Sequence, residues 1–365
     1  MLITNVHILP IGDQREIKNG YILTENEHII ATGTMDNAPK WQDVLDGEGA
    51  YALPGFIDSH SHLGLFNTRE QDANEPNQPV SPHFRVIDSI NVNDEYWKEA
   101  LRAGVTTAVV SPGSSSVISG QIAAMKTSGG VLRAPIGIKC ALGENPKHNT
   151  FPQTRMAAVA ILRETLAKSV KYSAKRVKDF DFVHAALQPV LARKIPLHIH
   201  AHALGDIQAA IRVSEEFNIN ITLIHGTDAA QIAPELAERG IGVICGPQIN
   251  HRSKAEINNH TPALPAILAV NNVKTAITTD HPETPIGHLA LSAALAVKEG
   301  MPPLDALEAI TINAAELTGI SDLVGSIEPD KIADILLFDK FPLEFYAAPK
   351  CVIAQGVVQV EPQLA

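Results

Sequence analysis

Cysteine is scarce in this sequence: Cys140, Cys245 and Cys351 are the only three among 365 residues. They are odd in number, far apart and show no C-x-x-C spacing. That excludes a disulfide framework and points to reduced thiols in a cytoplasmic protein. Basic residues are outnumbered, with 29 Lys and Arg against 40 Asp and Glu, for a net charge of −11 at pH 7. No Lys/Arg-rich run offers a local exception, so nucleic acid is not an expected partner. No apolar run approaches the 18 or so residues that a bilayer span needs, which excludes a helical membrane anchor. Met1-Leu2-Ile3-Thr4-Asn5-Val6-His7 has no basic stretch or cleavage pattern of a secretion leader. An apolar fraction of 45% with 19% charged residues is globular composition, so disorder and collagen-like order are excluded too. What the chain does have is histidine, fifteen of them.

At roughly 150 residues per domain, the length suits one large domain and a small one. Residues 1–54 alternate short β-like runs with turns, and Asn19-Gly20 and Gly33 look like the punctuation between strands. The last forty residues look alike, with Ile335-Leu336-Leu337-Phe338 and Cys351-Val352-Ile353-Ala354 as strands. The two ends are therefore expected to meet in one β-sandwich, built from 1–54 and 326–365. The middle, 55–325, follows another rhythm. Short apolar runs recur at 55–60, 106–110, 135–142, 195–200, 219–225, 241–245 and 274–279, and 118–127 is a candidate for an eighth. Helical spacing lies between several of them, at 152–171, 187–193, 206–217, 233–239 and 264–271. Strand alternating with helix predicts parallel strands joined by crossovers. An open doubly wound sheet would carry a Gly-rich phosphate loop after its first strand; here Asp58-Ser59-His60-Ser61-His62 stands there instead. The expected fold is α/β, a (β/α)8 TIM-type barrel with the terminal β-sandwich beside it.

The histidines collect where these strands end. His60 and His62 are two apart at the end of an apolar strand, so both rings face the same way, and Asp58 shares their face and is a candidate to orient one ring. A second strand runs into His198-Ile199-His200-Ala201-His202, a third ends in His225-Gly226, and a fourth in Thr279-Asp280-His281-Pro282. In a parallel barrel all C-terminal strand ends open onto one rim, where sites are built. Residues scattered over 220 positions therefore converge, as a divalent metal site requires.

Pro54-Gly55-Phe56-Ile57-Asp58-Ser59-His60-Ser61-His62 resembles the first-strand signature of the amidohydrolase superfamily of metal-dependent hydrolases. His200, His225-Gly226 and Thr279-Asp280-His281-Pro282 follow in the same order, and Ala309-Ile310-Thr311-Ile312-Asn313-Ala314-Ala315 resembles the superfamily's final helix. The likeness covers essentially the whole chain and is greatest to the imidazolonepropionase-like and N-acetylglucosamine-6-phosphate deacetylase-like branches. It implies that His60, His62, His200 and His225 are metal ligands and that Asp280 is the catalytic proton carrier. It also implies an anionic ligand from the third or fourth strand, for which Glu144 is preferred over a carboxylated Lys139. The implied cofactor is a divalent metal, zinc first, with iron or manganese as alternatives and one ion or two.

His202, His251 and Arg252 are candidates for contact with substrate, Arg252 because its planar fork matches a carboxylate. The stretch 65–94, rich in Asn, Pro and Asp, is a candidate wall of the pocket. The implied reaction is hydrolysis of a C–N bond in a small amide-like substrate: an acyl-amino acid, a dipeptide or a cyclic amide. A ring deaminase and a non-catalytic superfamily scaffold are the alternatives. Deaminases generally want a glutamate just after the fifth-strand histidine, and here the nearest acid is Asp206. A homo-oligomer is expected.

Overall fold

A computed structural model describes residues 1–12, 15–66, 71–174 and 180–360. Five strands open the chain: β1 (Leu2–Ile8), β2 (Ile17–Glu25), β3 (His28–Thr34), β4 (Val44–Asp46) and β5 (Tyr51–Pro54). The turn between β2 and β3 is made at Asn26, whose φ of 52° suits an asparagine. Asn19-Gly20 and Gly33, expected at turns, lie inside the paired strands. Gly33 is there because the Tyr21 ring crosses it; a Cβ at 33 would stand 2.8 Å from that ring.

The barrel follows as β6 (Phe56–Ser61), β7 (Val105–Val110), β8 (Ile118–Lys126), β9 (Val131–Ala141), β10 (Leu197–Ala201), β11 (Ile221–His225), β12 (Gly242–Cys245) and β13 (Thr275–Ile277), each bonded to the next. The ring is nearly closed. His62 N donates to His281 O at 2.8 Å, and the Asp58 carboxylate accepts from Thr278 Oγ1 at 2.5 Å and from Thr279 N at 3.3 Å. The eighth strand is β8, and it runs antiparallel to both neighbours. The links on either side of it, 111–117 and 127–130, are too short for the crossover of a dozen or more residues that parallel pairing demands. Gly129 and Gly130, at φ of 119° and 94°, turn the chain there.

The helices are α1 (Tyr96–Arg102), α2 (Arg155–Ala174), α3 (Phe182–Ala186), α4 (Gln188–Leu191), α5 (Leu204–Phe217), α6 (Ala233–Glu238), α7 (Leu264–Val270), α8 (Leu289–Lys298), α9 (Pro303–Ala309) and α10 (Ile312–Leu317). The long helix expected from 152 begins at 155, where Thr154 Oγ1 accepts from Ala157 N at 3.1 Å and caps it. Alternation divides the strands. Ile138, Cys140, Leu197, Ile199, Leu223 and Val243 pack outward with Leu162 and Leu166 of α2 and Ile207 of α5. Each such buried aliphatic side chain contributes about 1.5–3 kcal/mol. One residue on, Lys139 stands beside His198, and His200 stands between Ala141 and Ile224, facing the interior.

The chain ends with β14 (Ile335–Phe338), β15 (Cys351–Ala354) and β16 (Val357–Val360). β14 pairs with β5, and β5 with β1, so both chain ends lie in one connected eight-stranded ladder. Ile3, Ile22 and Ile29 share one apolar cluster with Ile335, Leu337 and Ile353. At the junction with the barrel, buried Lys126 pairs with Asp334, which also accepts from Thr106 Oγ1 at 3.2 Å.

Candidate metal centre

The C-terminal strand ends open into a cavity of about 1080 Å³. His60, His62, Lys139, His200, His225 and Asp280 line it, with His202 beside them. The rings are close together: centroids of His200 and His225 lie 4.6 Å apart, those of His60 and His62 5.2 Å, and those of His60 and His225 5.9 Å. Potential ligand atoms of His200, His202 and His225 fall within 4.8 Å of one another, and so do those of His60, His225 and Asp280.

Hydrogen bonding aims two of these rings. The Nδ1 atoms of His62 and His225 lie 2.8 Å from Ser111 O and 2.6 Å from Gly246 O. A carbonyl only accepts, so in these rings Nδ1 carries the proton and Nε2 is left with a free lone pair. His202 Nδ1 is held at 2.8 Å by Thr227 Oγ1. His60 Nε2 lies 3.0 Å from Lys139 Nζ and 3.5 Å from Asp280 Oδ1, and His62 Nε2 lies 3.5 Å from the same oxygen. Both ring nitrogens of His200 and the Nδ1 of His60 are buried with no hydrogen-bond partner among the described residues. Buried polar atoms are seldom left so. Neutral imidazoles with idle lone pairs, a carboxylate and a buried amine fit a divalent cation.

Burial sets the protonation of the group. It holds His60, His200 and His225 well below the ordinary histidine range, with neighbouring rings adding to the effect on all three and the Lys139 charge as well. His62 and His202 are pushed down to about 3, again chiefly by burial. Burial raises the Asp280 carboxyl, against the opposing pull of Lys139, and lowers the Lys139 ammonium, against the pull of Asp280. His225 and Asp280 also have left-handed backbones, φ 71° and 52°. Such positions cost about 1–3 kcal/mol each and collect at working sites.

The remaining candidates stand elsewhere. The Glu144 carboxylate is bound by Lys147 Nζ and Arg155 Nη1, each at 2.7 Å, and does not line the cavity. The turn at Gly143, φ 89°, takes the chain out of the strand before Glu144 is reached. His251 and Arg252 are exposed outside the cavity, and Arg252 Nη2 donates to His260 O at 3.2 Å. The cation of that loop that does reach the cavity is Lys254. Asp58 orients no ring, because Thr278 and Thr279 occupy its carboxylate; it joins β6 to the end of β13 instead. His198 lies buried beneath, beside Lys139, and does not line the cavity. Asn74, Asn91, Asn93 and Asp94, from the long stretch after β6, do line it.

An α/β barrel carrying His60 and His62 on one strand, further histidines on two others and an aspartate on the last is the architecture of metal-dependent hydrolases. The amidohydrolase family model matches residues 51–360, and the chain belongs to that family. It is similar to an amidohydrolase of known structure from Thermotoga maritima, with 33% identity, a TM-score of 0.93 and 99% of each chain covered. Among curated proteins it is 26% identical over 373 residues to the imidazolonepropionase of Geobacillus thermodenitrificans, covering 90% of this chain and 86% of that one. It is 25% identical over 367 residues to the amidohydrolase tasK of Hapsidospora irregularis, covering 87% of this chain but only 37% of the fungal protein.

Proposed function

We propose that this protein is a metal-dependent amidohydrolase that hydrolyses a C–N bond in a small amide-like substrate: an acyl-amino acid, a dipeptide or a cyclic amide. The observation that carries the reading is the convergence of four histidines, Lys139 and Asp280 on the floor of one cavity, with lone pairs left idle. His60, His62, His200 and His225 would hold the cation, zinc first, with iron or manganese suited to the same donors. A divalent cation bound there supplies Lewis acidity toward a carbonyl and lowers the pKa of water toward about 7. Asp280, already raised by burial, accepts the proton of the attacking water and returns it to the leaving nitrogen. His202 lines the same space, which supports a role in steadying the carbonyl oxygen.

For the anionic ligand the placement favours Lys139 over Glu144. Burial keeps part of the Lys139 amine neutral, and its lone pair can add to carbon dioxide with loss of one N–H proton, giving a carbamate. A second cation would then have a bridge to share. The ring-deaminase alternative lacks support in the cavity, because Asp206 is bound by Arg155 at 3.0 Å. A scaffold that had lost catalysis would not keep every ligand position filled.

The barrel, 55–325, is read as the catalytic unit, and 1–54 with 326–365 as a terminal unit. A cytoplasmic location suits buried thiols such as Cys140 and Cys245. The charge of −11 argues against nucleic acid as a partner, and no described helix is long and apolar enough to cross a membrane. A homo-oligomer would cover exposed aromatic pairs such as Phe180 with Phe182 and Phe345 with Tyr346.

The test is metal analysis of protein grown with zinc or manganese, followed by turnover of acyl-amino acids, dipeptides and cyclic ureides. Stoichiometric metal with turnover of at least one class supports the reading. Protein without bound metal and without turnover sinks it.

A further inference from the structure

We infer that the substrate carries a protonated amine, received by Asp94 on one wall of the cavity mouth, and an anionic end, received by Lys254 on the opposite wall. The inference rests on the hydrolytic reading for the reaction and adds the class of molecule that reacts.

Asp94 is 8% exposed and lines the cavity. Its Oδ1 accepts from Tyr96 N at 3.0 Å, but its Oδ2 is buried without a hydrogen-bond partner among the described residues. An unsatisfied carboxylate oxygen is costly to bury; its charge reaches the His281 ring, but His281 Nε2 makes no hydrogen bond to it, so a donor from a ligand has a place there. Glu95, Glu99 and Glu283 line the same cavity at its exposed margin. Among the described lining residues the Lys and Arg are Lys139 on the floor and Lys254. Among the described residues, no lysine or arginine stands on the acidic wall.

Lys254 is held differently. Its Nζ lies 2.7 Å from Asn145 Oδ1 and 2.8 Å from Glu256 Oε1, and Glu256 is fixed in turn by Glu144 N at 3.0 Å. An ammonium has three donors, so one remains for a ligand. It lines the cavity together with His200, His202, His225 and Asp280, and its charge acts on all four.

Lys254 follows β12, the neighbour of β13, and it is its hydrogen bond to Asn145 that draws its ammonium away from the acidic wall. Asp94 and Glu283 follow β6 and β13, which adjoin where the ring closes, whereas Lys254 is tied to Asn145 beyond β9, three and four strands away from them around the ring. The metal centre lies between. An amide placed on it with an amine at one end and a carboxylate at the other meets an opposite charge at each. A uniformly anionic substrate would leave Asp94 unmatched and face repulsion from the acids.

Three phosphinic pseudodipeptides, with –PO2–CH2– replacing the amide, would test this by calorimetry on the zinc-loaded protein: the zwitterion, its N-acetyl form and its C-terminal amide. The zwitterion should bind about 10- to 100-fold tighter than either blocked form. Asp94→Asn should erase most of the preference for the free amine and keep the preference for the carboxylate; Lys254→Met should do the opposite. If Asp94→Asn fails to fold, Glu99→Gln should reduce the same amine preference by a smaller factor. Equal binding of the N-acetyl form, an unchanged preference in both acidic variants, or no binding of any analogue overturns the inference. Amine-selective binding without turnover of any acyl-amino acid, dipeptide or cyclic amide upholds it and sinks the hydrolytic reading. Turnover of N-acyl substrates with no amine preference does the reverse.

Discussion

In the terminal sheet, Ile3, Ile22, Ile335, Leu337 and Ile353 fill one apolar cluster, and among the described residues no buried side-chain polar atom of 1–54 or 326–360 lacks a partner. Around the barrel's cavity, His60, His200, Asp94 and Asp280 all carry such atoms, as does His198 beneath it. The side chains named are buried in both regions, so burial does not distinguish them. Satisfaction does. Buried polar atoms left idle cost free energy in the empty protein, and a chain keeps them where a ligand completes them. The first region secures the fold, and the second holds what the fold is for.

The comparison can be broken most decisively by stripping metal. Treatment with a chelator should abolish turnover and lower Tm, with an apparent stability loss of about 4 kcal/mol if metal was present at 1,000 times its Kd. A Tm indifferent to metal, read by calorimetry, would mean that the idle lone pairs answer to something else. Next comes Asp280→Asn, for which kcat should fall about 10²- to 10⁴-fold while bound metal and the folded circular dichroism spectrum persist. Full activity in that variant removes Asp280 from proton transfer.

In the terminal sheet the expected effects reverse. Leu337→Ala should cost about 2–5 kcal/mol in denaturant unfolding and leave kcat of the remaining folded protein unchanged. A large change in kcat there would erase the division between the regions. The smallest effect is expected at Glu144→Gln. Its partners are partly exposed, so the loss in stability should be about 1 kcal/mol or less, with metal content unaltered. Lost metal in that variant would bring Glu144 back as a ligand in place of Lys139.

Much of the fold could be read in the sequence because two signals repeat: apolar runs ending in His or Asp, and helical spacing between them. The strand β8 was visible only as a candidate, since it turns back through Gly129-Gly130 with no crossover helix to announce it. Helices α8 and α9 left no period to detect; Leu289–Lys298 is almost uniformly Ala, Leu and Val, apolar on every side. Within the site, His60 and His200 were legible through alternation, and His225 and Asp280 as the residues that close apolar runs, although both have left-handed backbones that alternation does not foretell. The choice between Lys139 and Glu144 depended on one glycine. Alternation places Lys139 on the face of His198, while the bend at Gly143 turns Glu144 toward Lys147 and Arg155. Arg252 and Lys254 are two positions apart in one loop, and only a hydrogen bond to Asn145, from a distant strand end, tells which one turns inward.

The reversed strand β8 has an effect beyond its own ladder. With no crossover helix of its own, it is accompanied by the stretch after β6: Ser81 N donates to Ile118 O at 2.8 Å, and Gln121 N to Phe84 O at 2.7 Å. That stretch goes on to supply Asn91, Asn93 and Asp94 to the mouth. Apart from His60 and His62 at the end of β6, the histidines that line the cavity and Asp280 come from the ends of other strands. Descendants of this chain could therefore exchange residues 71–94 as a cassette and acquire new clientele, while inheriting the reactive centre unaltered.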